Sequence, residues 1–324
     1  MSRLPLSRRQ AIRLGLASTA SLGMGWRFTL ASDDSPGKPK PGKIGDFKIS
    51  LAEWSLHRRL FADRGQTTQL NLDFPRMARE EFGIDAVEYV NQFFKDKAHD
   101  TAYLSELKKR ADDQGVTNVL IMIDGEGDLS APSRDERTKA VENHKKWVDA
   151  AAALGCHAIR INTGDHYSPD HTQEAAEACR ALTEYGAQHQ IAVICENHGG
   201  PSSWPDALIA LIKAVDHPNF GTLPDFGNFP PRSPAAKGGP KVVAPYEAVA
   251  RMMPYAKGVS AKSYAFGPDG KETTLDYARL LKIVTDAGYH GYVGVEYEGQ
   301  APEPEGILAT RKLLESLRGA EYPG

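Results

Sequence analysis

The chain has 324 residues, of which 41% are hydrophobic and 25% are charged, a balance that excludes collagen-like, disordered and disulfide-rich classes. The first 31 residues carry five Arg and no acidic residue, so the remainder has 34 basic and 42 acidic residues, a net charge of −8. A surface this negative argues against nucleic acid as a partner. Three cysteines without a CxxC spacing predict buried thiols, and no apolar run is long enough to predict a membrane segment after processing.

The N-terminus has the layout of an export signal. Arg8-Arg9 precede a mildly apolar stretch, residues 14–26, and Thr29-Leu30-Ala31 offers the small residues of a cleavage site. Residues 1–31 thus resemble a twin-arginine signal peptide, with an amphipathic helix or a basic tail as the alternative. The resemblance implies export of the folded protein to the periplasm. Residues 32–46 are predicted to be a flexible linker, and residues 47–320 the folded domain.

From Phe47 onward, short β-branched runs alternate with amphipathic segments of helical length, which predicts βαβ units. Eight units in this length match an α/β fold, a single (β/α)8 TIM barrel, typically of about 250 residues. The competing open, doubly wound sheet lacks a Gly-rich fingerprint after its first strand. The predicted strands are Lys48–Trp54, Ala86–Tyr89, Asn118–Ile123, Ala158–Ile161, Ala192–Glu196, Gly221–Asp225, Gly258–Lys262 and Tyr292–Glu296.

Two helix boundaries and one loop are also predicted. Gly155 is expected to end the helix before the fourth strand. Ser203, with Asp206 three residues further on, is expected to cap the helix after the fifth strand. The Pro/Gly-rich segment 230–245 predicts a lid, a partner-binding loop or a plain insertion.

Acidic residues recur at the carboxyl ends of the late strands, where TIM barrels hold their active sites. Glu196 ends the fifth strand, Asp225 the sixth and Glu296 the eighth. Crowded carboxylates repel one another and shift one another's pKa, and a single divalent cation would relieve this. Carboxylate-rich ligation favours Mn²⁺ or Mg²⁺, with Zn²⁺ or Co²⁺ as alternatives. The competing interpretation is that each acid makes an ordinary salt bridge near a loop.

His198 follows Glu196 by two residues. If the strand stays extended through Asn197, both side chains share a face, and His198 becomes a candidate metal ligand. If the chain turns at Asn197, as Gly199 and Gly200 allow, His198 meets the substrate instead. A hydrogen-bonded loop residue is the third interpretation, and all three stay open.

Four segments carry a family resemblance: ENHGG (196–200), PDFGNF (224–229), SAKSY (260–264) and GVEYEG (294–299). They resemble the xylose isomerase-like TIM barrels of the sugar phosphate isomerase/epimerase type, over about residues 47–317. The resemblance implies one catalytic divalent metal bound by Glu, Asp, His and Glu from strands five to eight. Glu196, Asp225 and Glu296 match three of these places. The family's His-x-Lys on strand seven reads Ser260-Ala261-Lys262 here, so the fourth ligand must come from His198 or from water.

The resemblance implies an isomerase or epimerase acting on a sugar or keto-sugar through an enediolate. One carboxylate removes a C–H proton beside the metal-bound oxygens and another returns it, the roles predicted for Glu196 and Glu296. Lys262 is predicted to act as an electrophile or proton donor, or else to neutralise the acids. If the enediolate expels a leaving group, the same site becomes a lyase or dehydratase. The missing His would also suit a non-catalytic carbohydrate-binding barrel.

The predicted partner is a small-molecule carbohydrate, and the sequence leaves a homo-oligomer open. An aromatic residue and many hydroxyl-binding side chains at the strand ends suit a carbohydrate. The predicted substrate-binding residues are Trp54, His57, Glu88, Asp124, Asn162, His166, Asn228, Ser260 and Glu298.

Overall fold

The computed structural model describes residues 39–62, 67–229 and 244–324. The predicted signal peptide, residues 32–38 of the predicted linker and most of the segment 230–245 lie outside the described residues. Within these three ranges, no helix combines the length and the apolar character needed to cross a bilayer.

Eight parallel strands form the central sheet, in the order β7-β6-β5-β4-β3-β2-β9-β8. Two further parallel bridges, Thr222–Ala256 and Asp225–Ser260, connect the segments of the first and last of these strands, so the sheet curls back on itself. The predicted (β/α)8 barrel is therefore confirmed. Its strands are β2 (Lys48–Ala52), β3 (Ala86–Val90), β4 (Thr117–Met122), β5 (Ala158–Ile161), β6 (Ala192–Glu196), β7 (Phe220–Leu223), β8 (Val259–Ser263) and β9 (Tyr292–Tyr297).

Helices follow the barrel strands and cover the sheet. The strands are buried on both faces because one face meets the helices and the other fills the barrel interior. In β4, for example, Val119, Leu120 and Ile121 are all buried. The helices are α1 (His57–Ala62), α2 (Thr67–Glu80), α3 (Thr101–Asp113), α4 (Arg134–Leu154), α5 (Thr172–Gln188), α6 (Pro205–Val215), α7 (Pro245–Met252), α8 (Tyr277–Asp286) and α9 (Glu303–Leu317).

One predicted helix boundary is confirmed and one is wrong. Gly155 follows α4 with a φ of 76°, the left-handed conformation that ends helices at low steric cost for glycine. Helix α6, however, begins at Pro205, because proline fits the first helical position and has no N–H to satisfy. Ser203 does not cap it. The Ser203 Oγ donates to the carbonyl of Asn228 and accepts from the N–H of Gly199, so it ties together the loops after β6 and β7.

The packed chain starts before Phe47 and continues past residue 320. Strand β1 (Gly42–Lys43) pairs antiparallel with β10 (Glu321–Tyr322). Ile44 is buried, and the N–H of Gly45 donates to the hydroxyl of Thr285. The expected flexible linker through residue 46 is therefore not flexible in its last residues, because the chain's two ends pair and bury Ile44 against the barrel.

Glu53 is a buried carboxyl group in the turn after β2, and it contacts none of the acids at the strand ends. Its carboxylate accepts hydrogen bonds from the Asn71 amide (2.7 Å) and from the N–H of Val90 (2.9 Å). Burial outweighs both hydrogen bonds and raises the pKa of Glu53 to about 8. The group is therefore expected to fold in its protonated form at neutral pH.

This pKa predicts a pH-dependent stability. A raised folded-state pKa favours the folded protein fully below the ordinary value of 4.5, and this stability is lost as pH rises through about 8. Across that window, wild-type stability should fall by up to about 1.4 kcal/mol per pH unit relative to Glu53→Gln, which does not titrate. Urea unfolding of both proteins from pH 5 to pH 9 measures the difference. A difference that stays constant with pH would contradict the assignment.

Candidate active site

Three acidic side chains converge at the carboxyl end of the barrel. Glu196, Asp225 and Glu296 are all buried, and each offers an oxygen that lies within 4.8 Å of the other two. Glu196 is the last residue of β6, Asp225 lies two residues beyond β7, and Glu296 lies in β9. Parallel barrel strands all end at one rim, so residues far apart in sequence meet there. We call these three residues the acid cluster.

Lys262 is the main counter-charge of the acid cluster. Its side chain is 2% exposed, and its Nζ lies 3.0 Å from Glu296 Oε1, 3.9 Å from Asp225 Oδ2 and 3.5 Å from Glu298 Oε2. Burial acts to lower the pKa of Lys262, but the surrounding carboxylates outweigh it and hold the pKa well above its usual value. Lys262 is therefore a permanent ammonium group in the floor of the site.

Arg160 is a second buried cation, and sequence reasoning missed it. Its Nε lies 2.8 Å from Glu196 Oε2 as an ion pair rather than an aligned hydrogen bond, and its Nη1 donates to Asp124 Oδ1 at 2.8 Å. The available signal was a charged residue inside the apolar strand Ala158–Ile161, since an unpaired charge is rarely buried. The ion pairs of Arg160 with Glu196, and of Lys262 with Glu296 and Asp225, agree in part with the alternative expectation that each acid forms a salt bridge.

The three carboxyl groups differ in their protonation. Burial, reinforced by the charge of Glu296, raises the pKa of both Glu196 and Asp225, although Arg160 and Lys262 oppose this. Burial also acts on Glu296, but there the Lys262 charge and a hydrogen bond from Ser260 prevail and lower the pKa. Two of the three carboxyl groups therefore have raised pKa values although two protein cations lie beside them.

The donor set fits a divalent cation. Asp225 Oδ1 accepts hydrogen bonds from the N–H groups of Gly227 (2.8 Å) and Asn228 (2.7 Å), whereas Oδ2 is buried and has no hydrogen-bond partner among the described residues. A buried carboxylate oxygen without a donor is costly. Three carboxylate oxygens at this spacing are the ligands that hard cations such as Mg²⁺ and Mn²⁺ prefer.

Ser260 stands where the family resemblance implies a histidine ligand. Its Oγ donates to Glu296 Oε2 at 2.8 Å, and the residue is buried. The hydroxyl therefore orients one carboxylate of the acid cluster and, with Lys262, keeps it ionised. In this position Ser260 supports a ligand instead of supplying an imidazole.

His198 lies on a turn rather than on an extended strand. β6 ends at Glu196, and the Asn197 side chain then binds the backbone of Asp225 at both its N–H (2.7 Å) and its carbonyl (3.1 Å). The N–H of His198 donates to Ser202 Oγ, and Gly199 has a φ of 88°. The His198 side chain is exposed at the rim and is not a member of the acid cluster.

Two substitutions are expected to separate a metal ligand from a residue at the rim. His198→Ala should leave the affinity for Mn²⁺ within about threefold of wild type, because the imidazole lies outside the acid cluster. Asp225→Asn should weaken it by at least about 100-fold, since even residues that only support a ligand cost 10- to 100-fold. Calorimetric titration of Mn²⁺ into both variants measures this. Equal losses in the two variants would place His198 among the ligands.

Four predicted substrate-binding residues line the mouth around the acid cluster. Asn228 donates to Glu196 Oε1 (2.9 Å) and accepts from Lys262 (3.2 Å), so it bridges a carboxylate and the ammonium group. Glu298 accepts from Trp54 Nε1 at 2.5 Å, and His57 stacks on the Trp54 ring.

Of four further predicted residues, Glu88 lies in β3, Asp124 follows β4, and Asn162 and His166 follow β5. Asp124 accepts from the Asn162 amide and from Arg160; burial acts to raise its pKa, but these partners prevail and lower it to about 2. Glu88 lies deep in the barrel, where Ser50 donates to it at 2.5 Å and burial raises its pKa to about 8. His166 is exposed, and its Nδ1 is hydrogen-bonded to Asp128 Oδ2.

The fold and the acid cluster define a (β/α)8 barrel with a candidate metal site at its carboxyl-terminal rim. Residues 77–317 match the xylose isomerase-like TIM barrel family, and the chain belongs to that family. The family resemblance expected from the sequence is confirmed at this level. No curated protein matches the sequence.

Solved structures share this fold at low sequence identity. A xylose isomerase-like TIM barrel protein from Mycobacterium smegmatis in complex with magnesium is 18% identical over 85% of this chain and 98% of its own, with a TM-score of 0.62. The 3-keto-D-glucoside 4-epimerase from E. coli is 16% identical over 84% and 100%, with a TM-score of 0.62. A probable 3-DHS dehydratase from Bacillus anthracis is 18% identical over 83% and 99%, with a TM-score of 0.60.

Proposed function

We propose that the protein is a metal-dependent isomerase or epimerase that acts on a sugar or keto-sugar by proton abstraction. The observation that carries this is the acid cluster at the rim of a xylose isomerase-like barrel, in which the buried Asp225 Oδ2 accepts no hydrogen bond from the described residues. The sugar epimerase and the magnesium-bound protein among the similar structures support the same assignment.

Glu196, Asp225 and Glu296 would hold the metal. A divalent cation there would polarise adjacent hydroxyl and carbonyl oxygens of a sugar and so acidify the intervening C–H bond. Glu296, which Lys262 and Ser260 keep ionised, is suited to accept that proton.

Glu196 is suited to return the proton. Its carboxylate has an oxygen within 4.8 Å of one from Glu296, so the two carboxyl groups can divide the acid and base roles at one substrate. Arg160 and Asn228 hold one oxygen each of the Glu196 carboxylate and fix its orientation. Lys262 remains charged and offsets negative charge that develops on the substrate.

A dehydratase is the second candidate, and the similar fold of the probable 3-DHS dehydratase favours it. Both reactions begin with the same proton abstraction. They diverge when the resulting enediolate is either reprotonated or expels a leaving group from the neighbouring carbon. The acid cluster serves either outcome.

Deuterium incorporation from heavy water tests the shared step. The Mn²⁺-reconstituted protein is incubated with a panel of keto-sugars, and NMR follows loss of the C–H signal and the identity of the product. We expect exchange into at least one sugar, with an epimer or isomer as product, whereas a dehydrated product would select the second candidate. Binding of sugar without any exchange across the panel would instead indicate a non-catalytic barrel.

Export through the twin-arginine route is a separate proposal, supported by Arg8-Arg9 ahead of a weakly apolar stretch. Replacing both arginines with lysine should leave the precursor in the cytoplasm, because this route reads the arginine pair. Immunoblots of cytoplasmic and periplasmic fractions measure the distribution. Undiminished export of the Lys-Lys variant would contradict the route.

A further inference from the structure

Four aromatic rings pack against one another at the rim that carries the acid cluster, with Phe93 buried among them and Phe61 exposed. Trp54 stacks on His57 with a centroid distance of 5.0 Å and an interplanar angle of 16°. Trp54 also contacts Phe61 edge-on at 6.1 Å and Phe93 at 6.2 Å, and Phe61 lies 5.0 Å from Phe93. We call Trp54, His57, Phe61 and Phe93 the aromatic shelf.

The aromatic shelf belongs to the same rim as the acid cluster. Trp54 follows the carboxyl end of β2 and Phe93 follows that of β3, and in a barrel these ends surround the active site. A chain of polar contacts links the two features, because Trp54 Nε1 donates to Glu298 and Glu298 lies 3.5 Å from Lys262. The polar edge of the indole therefore points to Glu298, and Phe61 is the next contact of Trp54 in this chain.

The aromatic shelf is held in place by residues near the C-terminus of the chain, just before and at the start of α9. The carboxylate of Glu303, at the start of α9, accepts hydrogen bonds from the N–H groups of Arg58 (2.7 Å) and Arg59 (3.2 Å). The Arg58 guanidinium also donates to the carbonyl of Ala301 at 2.6 Å. These contacts fix α1, which carries His57 and Phe61, so a ligand would find the rings preformed.

Phe61 keeps an exposed apolar face at this preformed surface. It is 39% exposed, and within the described ranges only Leu308, on α9, is a comparably exposed large hydrophobic residue. Aromatic faces flanked by a few polar groups such as Glu298 are typical of ligand sites. In the chain of contacts, Glu298 and Trp54 both come between the acid cluster and Phe61.

We propose that the aromatic shelf binds a second ring, and that the substrate is a glycoside, such as a disaccharide, rather than a free monosaccharide. This inference rests on the proposed function, because it assumes that the reacting ring lies at the acid cluster. The apolar C–H face of the second ring would pack on Phe61 and Trp54, while its hydroxyls stay at the solvent-facing rim.

Calorimetry on the Mn²⁺-loaded full chain tests the shelf without requiring turnover. The probes are cellobiose and maltose against D-glucose, and lactose against D-galactose. We expect at least one disaccharide to bind more tightly than its monosaccharide, and Phe61→Ala to weaken that disaccharide by about tenfold. The same substitution should change monosaccharide affinity by less than about twofold. Leu308→Ala is the matched control and should change neither.

Several results would overturn the shelf proposal. The proposal would fail if the wild-type protein bound no disaccharide more tightly than its monosaccharide. It would also fail if Phe61→Ala weakened the disaccharide and the monosaccharide equally. A Phe61→Ala variant that changes the mass in sedimentation equilibrium but not disaccharide binding would assign the shelf to a contact between two copies of the chain. The deuterium exchange experiment is independent of this one. Disaccharide preference without exchange would support the shelf as a binding site and contradict the proposed reaction.

Discussion

Glu296→Gln is expected to lower the rate of deuterium exchange into the substrate by about 10³-fold or more, the range of a general base. Two effects combine in this variant. The amide cannot accept the substrate proton, and it replaces one of the three carboxylates that would hold the metal. NMR measures the exchange rate, and calorimetry on the same preparation measures Mn²⁺ affinity. Together they separate the loss of the proton acceptor from the loss of metal binding.

Glu53→Gln provides the matched control, since it removes a buried carboxyl group that lies outside the acid cluster. At pH 6 its exchange rate should equal that of wild type. If Glu296→Gln kept wild-type exchange under these conditions, Glu296 would be neither the base nor an essential ligand, and the proposed mechanism would fail.

Lys262→Met is expected to destabilise the protein by about 3–5 kcal/mol in metal-free buffer, as measured by urea unfolding. The ammonium group is buried and contacts Glu296, Asp225 and Glu298, so its removal leaves carboxylates buried without their cation. Mn²⁺ should restore more stability to this variant than to wild type, because a divalent cation replaces the missing positive charge.

The double variant Lys262→Met/Glu296→Gln tests the electrostatic origin of that loss. Removing the closest carboxylate along with the ammonium group should recover part of the stability, as expected for two residues that interact directly. Strictly additive losses in the double variant, with no selective effect of Mn²⁺, would show that Lys262 acts by packing rather than by charge.

Local patterns were sufficient to predict most of the fold. The eight strands follow from short β-branched runs, and the end of α4 follows from a glycine that alone adopts the left-handed conformation cheaply. The parallel order of the strands then places Glu196, Asp225 and Glu296 at one rim. That step needs only the rule that barrel strands end together.

Other features depended on partners that are distant in sequence. Residues 42–44 were assigned to the linker because the segment that β1 pairs with lies at the other end of the chain, where Tyr322 is opposite Gly42. Alternation left open whether His198 shares a face with Glu196 or follows a turn, and the turn is decided by the Asn197 side chain, which binds the backbone of Asp225 after the next strand. Arg160 was missed because its partners, Asp124 and Glu196, come from strands on either side of it.

The sequence by itself thus determined the barrel, its family and the three acids, because these depend on residue type and spacing along one strand or one βα unit. The tertiary structure alone decided how the acids are balanced and what surrounds them. It places Lys262 and Arg160 among the carboxylates, brings the Ser260 hydroxyl to Glu296, and packs Trp54, Phe61 and Phe93 against one another. The physical reason is that charge compensation and stacking act over a few ångströms in space, between segments whose separation in sequence sets no limit on their contact.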